Sequence, residues 1–156
     1  MSAPSPATAL VYVWCYPRDE RPDYSGWHLA ANSTGCQLLA EELTSLASQT
    51  ATKSRVIALS VATAELLAVP NNRKYRAQAA RSLRFVSATE AGTFAIENDG
   101  GALSIVVGSN YLDRLQEHIL AIARGEGDIS MSSGQPADRL WFWWMPSAPR
   151  QRTRRR

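Results

Sequence analysis

Histidine and cysteine are scarce in this 156-residue chain, two of each, and neither type is spaced for metal binding or redox chemistry. Cys15 and Cys36 form no CxxC or Cys/His motif. They read as reduced thiols inside a predicted strand and a predicted helix. His28 and His118 each lack a second imidazole or thiol at ligand spacing, so each reads as structural. No GxGxxG, phosphate-loop lysine or nucleophile elbow is present. Gly108-Ser109-Asn110 has the strand–turn–helix context but not the second glycine, and reads as a helix N-cap. Glu41, Glu42 and Glu117 flank apolar helix stripes, where carboxylates face solvent, so paired acid–base work is not expected. The expectation is a protein that is not an enzyme and takes no cofactor or metal.

Long apolar runs are also missing. Ala9–Tyr16 is too short for a secretory core or a membrane span, and Met1–Thr8 carries no Lys or Arg, so the chain is expected in the cytoplasm with no membrane association. With 45% apolar and 20% charged residues, disorder and collagen-like structure are excluded. A chain of this length buries about 68–70% of its unfolded surface and needs no disulfide to hold a core. One domain over 1–149 is expected, with possible halves 9–69 and 83–145.

The net charge of +3 misleads. Residues 150–156 hold five arginines and no acid, leaving 12 basic and 14 acidic residues in the body, a net of −2. The tail reads as disordered and solvated. Within the body, Arg73, Lys74, Arg76, Arg81 and Arg84 lie between Glu65 and Glu90 with no acid among them. This is the basic patch that could grip phosphates or an acidic partner.

Periodicity supplies the architecture. Strands are expected at Leu10–Tyr16, Trp27–Ala31, Arg55–Val61, Leu83–Ser87, Thr93–Glu97, Ala102–Val107, Asp128–Ser132 and Leu140–Trp144. Asn98-Asp99-Gly100-Gly101 is a hairpin turn, since its glycines accept positive φ. Arg73–Ser82 has helical composition but a weak apolar face. Helices follow Asn32-Ser33-Thr34, any of which could cap, and Gly108-Ser109. At an offset of 76 residues, Trp27–Ala47 aligns with Leu103–Ala123 without a gap. The apolar positions Cys36, Leu39, Leu43, Leu46 and Ala47 then fall on Leu112, Leu115, Ile119, Ile122 and Ala123, one helical stripe in each case. The class is α+β, a mainly antiparallel sheet with two helices on one face and a possible internal strand–helix–strand duplication.

The sharpest local signal is Leu140-Trp-Phe-Trp-Trp144. In a strand, Leu140, Phe142 and Trp144 share one face, and Trp141 and Trp143 share the other. One set meets the helices; the second needs another cover, either this chain or a partner. Trp141, Trp143, Arg73, Lys74 and Arg76 are the candidate partner-binding residues.

The second half, with ALSIVVGS, NYLDRLQEHILAIARGEG, DISMSSG and LWFWW in turn, resembles immunity proteins of bacterial polymorphic toxin systems over residues 100–145, with a fainter echo in 26–62. That resemblance implies a cytoplasmic α+β protein that neutralises a cognate toxin by binding it and occluding its active site. It assigns no individual site residue. The alternative is a nucleic-acid-binding accessory or regulatory protein that uses the Arg73–Arg84 cluster and the arginine tail. The two apolar sheet faces also leave a homodimer open.

Overall fold

The computed structural model describes residues 8–17, 24–48, 52–72 and 75–146. Arg73, Lys74 and the arginine tail lie outside the described residues. In order along the chain are β1 (Val11–Cys15), β2 (Trp27–Ala31), α1 (Ser33–Ala47), β3 (Ile57–Ala58), α2 (Ala64–Leu67), β4 (Gln78–Ala79), β5 (Ser82–Ser87), β6 (Phe94–Asp99), β7 (Ala102–Val107), α3 (Ser109–Ala123), β8 (Ile129–Met131), a 3-10 turn (Pro136–Asp138) and β9 (Leu140–Trp143).

The α+β class and predominantly antiparallel pairing follow the sequence reading. The strands are divided between two sheets, β4-β1-β2-β9-β8 and β3-β5-β7-β6. A parallel pair lies inside each, β2 with β9 and β5 with β7, which hairpin signals alone do not produce. The inner faces of both sheets share one core with α1 and α3. Val11, Val13, Leu29, Phe142, Phe85 and Ile105 meet Leu39, Leu43, Leu115 and Ile119 there. The helices also pack on each other. Gln116 Nε2 donates to the Ala40 carbonyl at 3.1 Å and to Thr44 Oγ1 at 2.9 Å.

The two aligned segments are the same element in each half. α1 and α3 both have 15 residues and follow β2 and β7 directly. The likeness extends to the pairing. By this pairing the halves divide after β5, between residues 88 and 93, rather than at the 9–69 and 83–145 expected, and each sheet then joins the hairpin of one half to the closing strands of the other: β1–β2 with β9 and β8, and β6–β7 with β5 and β3. The registers correspond, since Leu29 opposes Phe142 as Ile105 opposes Phe85. Hydrogen bonds outside the ladders repeat as well. Asn32 N–H donates to Leu10 O at 3.0 Å and Gly108 N–H to Thr93 O at 2.7 Å, and Ser54 N–H and Asp128 N–H reach Phe85 O and Phe142 O at 2.9 and 3.1 Å. The halves differ in what joins their last two strands. In the first half the connection carries α2 and β4; in the second it is the short 3-10 turn.

Several expectations are corrected. Arg73–Ser82 is not helical where it is described. It runs extended, and β4 pairs with Trp14 and Cys15 of β1. A segment without an apolar stripe gains nothing by coiling, whereas the edge of β1 offers unpaired backbone groups. Of Arg55–Val61, Ile57–Ala58 forms a strand. The short apolar segment Ala64–Val69, expected to follow the strand and to stop at Pro70, holds a helical turn at Ala64–Leu67 because Thr63 caps it, its Oγ1 accepting from Leu66 N–H at 3.2 Å. Trp144 lies beyond the end of β9 and sits with Trp143, not with Leu140 and Phe142. Its indole rests on Gly127, where any Cβ would collide with the ring.

Candidate functional site

The outer face of the first sheet carries a second cluster. Tyr12, Trp14, Ala30 and Trp143 are buried there under Leu66 of α2. The alternation of β1, β2 and β9 puts the aromatic residues in phase. His28 lies opposite Trp14 on β1 and Trp141 on β9, and Ala30 opposes Tyr12 and Trp143.

His28 is fully buried between two indoles. Its ring is near-parallel to Trp14 (5.3 Å between centroids, 15°) and to Trp143 (6.2 Å, 16°), and Tyr16 meets it edge-on at 5.3 Å. Trp143 Nε1–H donates to His28 Nδ1 at 2.9 Å, so the imidazole proton sits on Nε2 and donates to the Tyr24 carbonyl at 3.0 Å. Burial pushes the imidazole down to about 4, against the smaller upward pull of the Tyr24 carbonyl. The group is neutral at pH 7 with both nitrogens committed, and has no lone pair free for general-base work. His118 is on α3 against Phe142, at 5.1 Å between centroids, and so lies on the opposite face of the first sheet from His28. Burial lowers its pKa, with Glu117 pulling it up and Arg114 down. Cys36 is buried and its thiol is pushed up to about 12, and burial also raises Cys15, so neither is an activated thiolate.

Around this buried base runs a half-buried rim of Tyr24, Trp141, Trp144 and Met145. Tyr24 stands edge-on to both Trp141 (4.8 Å) and Trp143 (4.9 Å). Trp141 is fixed by its Nε1–H, which donates to Ser25 O at 2.9 Å, and stacks on Trp143 at 6.1 Å. The Arg139 guanidinium lies over the Trp141 ring, 5.9 Å from its centroid.

The five candidate residues therefore separate. Trp141 is in the rim. Trp143 is 2% exposed and is spent on His28 and the sheet, so it supports a surface without being one. The chain itself covers it, through α2 and Tyr24. Arg76 is exposed, between Tyr75 and β4. Arg73 and Lys74 lie outside the described residues. The rest of the basic run does not form one face: Arg81 donates to the Gly100 carbonyl at 2.5 Å at the β6–β7 turn, and Arg84 lies on β5 of the other sheet, opposite Ser104.

Sequence reading missed Tyr24 and Arg139. Tyr24 sits in a Pro-rich loop with no periodicity, and Arg139 precedes a strand whose parallel partner is more than a hundred residues away. A further signal is Asn72, fully buried after α2 with neither Nδ2 nor Oδ1 hydrogen-bonded.

No family model matches the sequence, and neither does any curated protein or solved structure. Among the described residues, no group of three or more His, Cys, Asp or Glu could hold a metal ion, and no helix is long and apolar enough to cross a membrane.

Proposed function

We propose that this chain is a non-enzymatic protein-binding module that acts by covering a partner, with the half-buried rim of Tyr24, Trp141 and Trp144 at the centre of the contact. The observation that carries this reading is how the rim is held. Each ring is immobilised from behind by the His28 stack, Ser25 O or Gly127, so little side-chain entropy remains to be lost on binding. Trp, Tyr and Arg are the residue types that dominate binding hot spots, and a rigid aromatic base is what makes them effective. Within this class, the resemblance of residues 100–145 favours an immunity protein that neutralises a cognate bacterial toxin by occluding its active site. Steric cover of that kind needs about 1,200–2,000 Å² of interface and no catalytic group.

The test is co-expression with the toxin encoded by an adjacent gene, followed by binding of the two purified proteins. The intact chain restores growth, and Trp141→Ala weakens the complex about 30-fold, a loss of about 2 kcal/mol, while still unfolding cooperatively at a somewhat lower temperature. Lack of a complex at micromolar concentration overturns the reading. Nucleic acid that copurifies and is displaced by salt would redirect attention to the alternative.

A further inference from the structure

Arg139 combines a buried Nε that has no hydrogen-bond partner with the lack of an ion pair among the described residues. It occupies the position before β9, and its backbone is pinned there: Trp27 N–H donates to its carbonyl at 2.9 Å. Gly26, at φ +112°, is the residue that lets β2 begin so close, since a Cβ at that position would lie 2.7 Å from Arg139 O. The guanidinium rests on Trp141, and its Nε is buried without a hydrogen-bond partner. The acid next to it in sequence is committed elsewhere. Asp138 accepts from Ile96 N–H at 2.9 Å and from the Ser133 hydroxyl at 3.3 Å. The ion pairs formed among the described residues join Arg55 to Glu42 and Arg124 to Glu126.

A half-buried cation without an acid is costly, and stacking on an indole offsets only part of that cost. With its Cζ over the Trp141 ring and its Nε buried, the planar guanidinium presents its remaining N–H groups as a fork, which suits a bidentate acceptor. A dianion would need more positive charge than one guanidinium supplies, whereas a monoanionic carboxylate is matched by it. We infer that Arg139, placed over the Trp141 ring, is the receptor for an Asp or Glu side chain presented by an acidic segment of the partner protein. This rests on the protein-binding reading above, and gives it a chemical specificity.

The experiment uses the full ¹⁵N-labelled chain at low salt, titrated with hexaglutamate in one arm and inorganic phosphate in the other. The signals followed are the Arg139 Nε–H and the Trp141 Nε1–H. Hexaglutamate is expected to move both saturably, with phosphate at least tenfold weaker, and Arg139→Gln to weaken peptide binding at least tenfold without changing the thermal transition. Arg139→Lys keeps the charge but loses the fork, and should fall between the two. Absence of a saturable shift in the wild-type chain overturns the inference whatever the variants do. So does an equal response to phosphate, or peptide binding that survives Arg139→Gln. Toxin rescue that survives Arg139→Gln removes the carboxylate receptor while the protein-binding reading stands. A wild-type titration that succeeds where no protein complex forms has the opposite meaning.

Discussion

Acidification is expected to load the His28 stack against the fold, by an amount that follows from its geometry. The imidazole is neutral in the folded chain, with a pKa lowered to about 4 from an ordinary 6.5. Protonation would put a hydrogen on Nδ1, where Trp143 Nε1–H already donates, and a charge between two indoles. The unfolded chain takes the proton first. The contribution of neutral His28 is therefore complete above pH 6.5 and is lost as pH falls towards 4, by about 3 kcal/mol in total at 1.36 kcal/mol per unit. That is a large share of the roughly 5–15 kcal/mol of a typical domain. The assay is guanidinium unfolding followed by tryptophan fluorescence at several pH values between 7 and 4. His28→Gln serves as reference, because its amide can accept from Trp143 and donate to Tyr24 without titrating. The wild-type curve should lose about 3 kcal/mol more than the variant over that window. Taking the difference removes the carboxylates and His118, which are common to both proteins. Parallel curves would refute the assignment of a buried neutral imidazole.

Further outcomes follow from single groups. Asn72→Leu fills nearly the same volume and removes two buried, unpartnered amide atoms, so it should raise stability by about 1 kcal/mol, read as a higher denaturation midpoint; a lower one would mean that ordered water satisfies the amide. Asp138→Ala deprives Ile96 N–H of its acceptor on the β6 edge. It should cost about 2 kcal/mol and promote self-association measurable by light scattering, because that edge strand loses its guard. Splitting the chain between Ala88 and Thr93 should give two fragments that lack cooperative unfolding alone and recover the native circular dichroism when mixed, since each sheet draws strands from both.

What the sequence discloses here is local. The α1 and α3 stripes, the Asn98–Gly101 turn and the offset of 76 residues rest on contacts between near neighbours or on repetition. Period-two alternation likewise separates Leu140 and Phe142 from Trp141 and Trp143 correctly. It fails at Trp144, where the strand has ended and the ring turns back onto Gly127. It also has no bearing on which strands meet. β9 finds β2, and β5 finds β7, through tertiary packing of inner faces that look alike in composition, so the division into two sheets is invisible beforehand. The rim was half legible. Trp141 was marked by the density of tryptophan around it. Tyr24 and Arg139 gain their roles from a loop and a strand start that come together only when β2 pairs with β9. The burial of Trp143 follows from α2, whose four residues are too few to show a periodic signal.

The exchange of strands between halves has a consequence for biosynthesis. As the chain leaves the ribosome, β2 emerges early, yet the strand that completes it, β9, begins only at Leu140. Until then β2 presents an open edge and Leu29 and Ala31 lack part of their cover. The same holds for β5 until Ala102–Val107 arrive. More than a hundred residues are thus made while the β2 edge keeps bare backbone donors and acceptors, before β9 closes it. Intolerance of any product ending before β9 is therefore expected from the wiring itself rather than from any one residue.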